Sequence, residues 1–179
     1  KFFSTLKNTY NFFSMYANAD KLETKDFINS TSYELIDKWM LSKLNRLVKE
    51  VTNAYNEYDL NRVVKPLVNF VSEDLSNWYI RRNRRRFWKG ELDESKKSVY
   101  KVTYEVLVTL SQLLAPVSPF LAEEIYTNLT KEESVHLSDF PKCNESLIDL
   151  DVEKQMDLVR DVVSLGRNAR EEANVKIRQ

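Results

Sequence analysis

Two glycines and four prolines in 179 residues leave this chain few places to turn sharply. Sheet proteins rely on those residues for tight turns, so their scarcity points to long helices with few connections. Apolar residues at i, i+3, i+4 and i+7 mark one face of a helix. That spacing runs through Phe2, Phe3, Leu6, Tyr10, Phe13 and Tyr16, and again through Met40, Leu44, Leu47, Val48, Val51, Tyr55 and Tyr58. Helices are predicted over 2–17, 33–57, 60–88, 94–114, 119–129 and 150–174. Asp59 is placed to cap the third helix and the 93–95 stretch to begin the fourth. Pro66 should kink the third helix, Gly90 should end it, and Pro116 and Pro119 should stop the fourth. Met156, Val159, Val163 and Leu165 are expected to form the inner face of the last. Residues 18–32 and 130–148 read as irregular, and no period of 20–50 residues repeats. The prediction is all-α: a single up-and-down bundle of about five to six helices over 1–179.

The chain is long enough for one proper core, and 42% hydrophobic with 30% charged residues suits a soluble domain. A single cysteine, Cys143, excludes an internal disulfide and fits a reducing, cytoplasmic setting. No apolar run approaches the length of a membrane span, and there is no signal-peptide pattern. Opening on KFFSTLKNTY without an initiator methionine and stopping at KIRQ, the chain is expected to be a piece of a longer one.

A net charge of zero conceals segregation. Lys38–Lys101 holds 15 basic and 8 acidic residues, whereas Leu121–Asp157 holds 10 acidic and 3 basic. Such a molecule has one face suited to polyanions, unless the two halves pair with each other. The basic half peaks in SNWYIRRNRRRFWKG, with six cations among nine positions from Arg81 to Lys89. On a wheel of about 100° per residue, Val64, Leu67, Val71, Leu75 and Trp78 point one way, and Arg82, Arg85 and Arg86 fall near the same bearing. An unpaired buried guanidinium is too costly to be core. Either Glu73, Asp74, Glu91, Asp93, Glu94 or acids of the last helix pair with these arginines, or the helix end is presented to a polyanion. In the second case guanidinium forks would grip phosphate, and Trp78, Phe87 and Trp88 would buttress the run or stack on bases.

DKWMLSKLNRLVKEV at 37–51, LSNWYIRRNRRRFW at 75–88, LLAPVSPFLAEEIY at 113–126 and SVHLSDFP at 134–141 together resemble the anticodon-binding helical domain of class I aminoacyl-tRNA synthetases. The NWYIRRNRRRFW segment and the closing REEANVKIRQ are most similar to the isoleucyl branch of that family; leucyl, valyl and methionyl branches share the architecture but match less well. The resemblance implies a bundle that docks the anticodon stem and loop of an isoleucine-specific tRNA. Catalytic and editing domains of the same chain would lie elsewhere. It carries tRNA contact over to Arg81, Arg82, Arg84, Arg85 and Arg86, with Trp88 and Lys89 beside them. Five neighbouring arginines cannot all face RNA, so at least one is expected to be a structural ion pair. Lys43, Arg46 and Lys49, with Lys65, extend the positive field as candidate backbone contacts or ordinary solvated charges.

Class I synthetases use ATP and Mg through HIGH-like and KMSKS-like motifs. With one histidine and no KMSKS-like run, neither is present here, and two isolated glycines make no phosphate-cradling loop. This segment is therefore expected to carry no catalytic site and no cofactor of its own. His136 with Ser134, Ser138 and Asp139 is crowded into one loop with nothing to orient the imidazole. Glu123 and Glu124 lie about 100° apart on a helix, and Cys143 with His136 falls short of a metal ligand set, so no metal is expected. Trp39 and the aromatics of the first helix read as packing residues. The fragment is expected to be a monomer. The alternative from another class is a helical interaction module for an acidic protein partner.

Overall fold

Two helices organise the molecule, and every other helix packs on one of them. The computed structural model describes residues 2–175, so residues 176–179 of the closing REEANVKIRQ lie outside the described part. In chain order the helices are α1 (Phe2–Ala19), α2 (Thr24–Phe27), α3 (Leu35–Asn56) and α4 (Leu60–Asn69). A π-helical segment, Phe70–Ile80, then runs without a break into α5 (Arg81–Trp88). Next come α6 (Glu94–Leu114), α7 (Pro119–Thr130) and α8 (Leu150–Glu172), with single 3-10 turns at Val135–Leu137 and Glu145–Leu147. The described residues contain no strand.

Capping sets several of these boundaries. The Asp59 carboxylate accepts from the Arg62 amide at 3.1 Å, and Asp93 accepts from the Lys96 amide at 2.7 Å. Asp149 accepts from the amides of Asp151 and Val152. Each satisfies donors that a helix start leaves open, worth about 1 kcal/mol.

Helices α3 and α6 form the axis. Asp37 and Ser98 meet near their N-termini, and Tyr55 donates to the Leu113 carbonyl near their C-termini, so the two run parallel. The α4–α5 rod runs back between those ends, antiparallel to both. The core comprises Trp39, Met40, Leu44, Val48 and Val51 of α3, Val99, Val102, Val106 and Leu110 of α6, and Leu67, Val71 and Leu75 of the rod. Full burial of each such aliphatic side chain contributes about 1.5–3 kcal/mol. A second cluster joins α1 to α5: the Phe12 and Phe87 ring centroids lie 5.1 Å apart, and those of Phe87 and Tyr100 5.0 Å.

Several details differ from the sequence expectation. Residues 24–27, read as loop, make one helical turn because Phe27 is drawn into the core against Tyr100 and Tyr104. Gly90 does not act as a left-handed terminator: no glycine has positive φ. α5 ends at Trp88, and the carbonyl of Lys89 is instead taken by Lys96 Nζ at 2.5 Å, an ammonium that also pairs with Asp20. Val63 rather than Val64 faces inward on α4, and Tyr58, read as part of the α3 stripe, lies exposed in the turn past Asn56, where its φ of 56° takes it off the helix. On α8, Met156 and Val163 pack on the bundle, whereas Val159 and Leu165 are exposed.

Candidate nucleic-acid interface

The π segment determines which arginines reach the surface. Bonds from i to i+5 turn the chain by less than the α-helical step of about 100° per residue, so the wheel falls behind across this segment. The α-helical wheel would send Arg82, Arg85 and Arg86 toward the core side. With the lag, Asn83, Arg86 and Phe87 go in, and Arg81, Arg82, Arg84 and Arg85 come out. Sequence periodicity assumes one pitch and cannot register such a change.

Arg86 is only 7% exposed, so it offers nothing to a polyanion. Its guanidinium forks onto Asp37, Nη1 donating to Oδ1 at 2.8 Å and Nη2 to Oδ2 at 2.7 Å. Nε and Nη2 also donate to the Ser95 carbonyl, Nη1 to Asn83 Oδ1 and Nη2 to Ser98 Oγ. Tyr79 donates its hydroxyl to Asp37 Oδ1 at 2.6 Å. Burial pulls the Arg86 pKa down, but the hydrogen bonds and charge of Asp37 outweigh this and leave it raised. Burial, reinforced by the Asp37 charge, pushes the Tyr79 phenol well above its ordinary value. The partner of the buried arginine is thus a residue of α3, which is absent from the acids weighed from sequence. Nothing local signals it, because Asp37 and Arg86 are 49 positions apart.

The outer face is different. Arg81, Arg84 and Arg85 are exposed and joined to no carboxylate among the described residues. Arg82 lies over the Trp78 indole, 4.4 Å from the ring centroid. Trp88 is exposed at the end of α5, and Lys89 beside it pairs with Asp93 at 2.7 Å. Phe87, buried among aromatics, cannot stack on bases, and Trp78 is buried beneath Arg82, its indole N–H directed to the Met156 sulfur.

A groove of about 600 Å³ opens between this rod and α8. Arg81 and Arg82 line one wall and Arg160 and Arg167 the other, with Glu73 and Asp161 also present. Arg160 is committed to Asp74 at 2.6 Å. The two α8 arginines were not singled out from sequence; their spacing of seven on one helix was the available signal.

The candidate backbone contacts on α3 are each held by a carboxylate. Lys43 pairs with Asp74 at 3.3 Å, Arg46 with Glu153, and Lys49 with Glu145 at 2.7 Å. The loop around His136 assembles no triad: the Ser134 hydroxyl donates to Glu123, the Ser138 hydroxyl to the Val135 carbonyl, and His136 is exposed. Trp39 is fully buried.

An all-helical bundle agrees with what sequence comparison finds. Residues 37–179 match the family described as the anticodon-binding domain of tRNA ligase, and the chain belongs to that family. Along its whole length it is similar to isoleucine–tRNA ligases. Identity is 44% over 186 residues to that of Bacteroides thetaiotaomicron, 45% over 185 to that of Clostridium acetobutylicum, and 47% over 188 to that of Clostridium novyi. The match takes in all of this chain but only 16–18% of each of those proteins.

Proposed function

We propose that this domain binds the anticodon stem and loop of an isoleucine-accepting tRNA and positions it for a catalytic centre in another part of a longer ligase. The observation that carries the reading is the exposed set Arg81, Arg82, Arg84 and Arg85, none of them ion-paired among the described residues, in a chain of this family. Guanidinium forks suit phosphate oxygens, and such contacts fix register on the stem. Unstacked loop bases would supply sequence information through stacking and their hydrogen-bonding edges, with Trp88 and the outer face of Arg82 as available planes. Lys89 adds charge at the same end. Lys43, Arg46 and Lys49, already paired, would contribute field rather than direct grip. In the intact enzyme the binding energy would be used to place the acceptor end, while ATP and Mg act in the catalytic domain.

The test is competition binding. The chain is expected to prefer tRNA over polyglutamate, and isoleucine tRNA over an unrelated elongator tRNA. Arg84→Glu combined with Arg85→Glu should weaken tRNA binding by at least about tenfold, from two lost phosphate contacts and the added repulsion, with helical circular dichroism unchanged. Unchanged affinity in a folded double variant would sink the assignment. Displacement of tRNA by polyglutamate would favour an acidic protein partner instead.

A further inference from the structure

We propose that Asp37, Arg86 and Tyr79 are positioning residues for RNA binding: their buried network sets the rotation at which α5 leaves the π segment, and so which arginines face outward. The proposal rests on the RNA-binding reading above. A π-helical stretch is an uncommon arrangement that can revert to α-helical bonding, and each residue that does so turns everything beyond it. Backbone bonding alone therefore leaves the aim of α5 weakly defined. The network sits at the junction. It ties Tyr79 in the last turn of the π segment, Asn83 and Arg86 on the inner side of α5, Asp37 in the first turn of α3 and Ser98 in the first turns of α6.

The Asp37 carboxylate is saturated. It accepts from Tyr79, from both terminal nitrogens of Arg86, from Ser98 at 3.3 Å and from the Glu34 amide at 3.0 Å. Well-packed apolar side chains of similar volume could hold the helices together equally well, so a buried ion pair is poorly explained by stability alone. A planar, two-pronged fork also fixes an angle, which apolar contacts do not. Here the fixed angle is the one that turns Arg84 and Arg85 to solvent while Arg86 is consumed inside.

The experiment compares Asp37→Asn, Arg86→Lys and Tyr79→Phe with the unaltered 179-residue chain. Binding to the anticodon stem-loop of an isoleucine tRNA is measured well below each variant's melting temperature. Arg86→Lys keeps the charge but loses the fork. Affinity should fall about tenfold, and the slope of log K against log salt should become shallower, because fewer arginines reach phosphates together. A purely structural role would lower the melting temperature and leave affinity and slope of the folded protein as they were; that result overturns the proposal. Should Asp37→Asn not fold, Tyr79→Phe, which removes one hydroxyl and spares the ion pair, must still show a smaller loss in the same direction. Arg84→Glu with Arg85→Glu is run alongside. If it weakens binding and the network variants do not, only the positioning role is refuted. If it too has no effect, the RNA-binding reading fails and takes this proposal with it.

Discussion

Arg84 and Arg86 are two positions apart and chemically opposed: one is solvated and free of carboxylates, the other buried in a saturated network. Removing Asp37 would strand a buried cation, whereas removing Arg84 would not affect the core. Which arginine is buried was not legible in RRNRRR, because the answer depends on the pitch of the preceding turns and on a partner from another helix. Burial also acts on tyrosine. The Tyr55 phenol, which donates to the Leu113 carbonyl at 2.9 Å, is pushed up to about 12 by burial. An unfolded tyrosine ionises near about 10. Between those values the unfolded chain binds fewer protons than the folded one, so stability falls as pH rises; below the unfolded value this contribution is fully present. Tyr79 and Tyr100, also raised by burial, act in the same direction. Thermal melts should therefore show a falling melting temperature from about pH 10 to 12, and Tyr55→Phe should make the fall shallower. A melting temperature independent of pH in that window would contradict this.

Among the elements, those that follow α-helical rules were legible. α3 and α6 begin and end within two residues of their predicted limits, since each has an uninterrupted apolar stripe and is bounded by turn or capping residues. The rod from Leu60 to Trp88 was read as one helix, but its middle is π-helical, and neither a strand nor a helix period detects that winding. α8 was placed correctly while half of its face was misjudged. It is anchored through Val152, Glu153, Met156, Val163 and the Arg160–Asp74 pair, while Leu158, Val159, Val162 and Leu165 stay exposed. Asp74 is 3% exposed and holds both Arg160 of α8 and Lys43 of α3. Asp74→Ala should cost about 2 kcal/mol, read from the urea midpoint, because two partly exposed cations lose their common buried anion. Amide exchange should then quicken in α8 more than in α3. Equal quickening in the two helices would show that Asp74 does not secure α8.

For the whole molecule, charge segregation has two outcomes. Part of it is internal: Lys49 with Glu145 and Arg46 with Glu153 join the basic half to the acidic half across the α3 surface. The remainder is concentrated on α5, where Arg81, Arg84 and Arg85 form no ion pair among the described residues. The composition showed the imbalance, but only the packing shows where it goes uncompensated. Among the described residues no helix is long and apolar enough to cross a membrane. Whether this uncompensated face meets one particular part of a tRNA is read by hydroxyl-radical footprinting of isoleucine tRNA with the 179-residue chain. Protection is expected to be confined to the anticodon stem and loop and to be lost when Arg84 and Arg85 are replaced by glutamate. Protection centred on the acceptor arm, or an anticodon footprint that survives those substitutions, would contradict it.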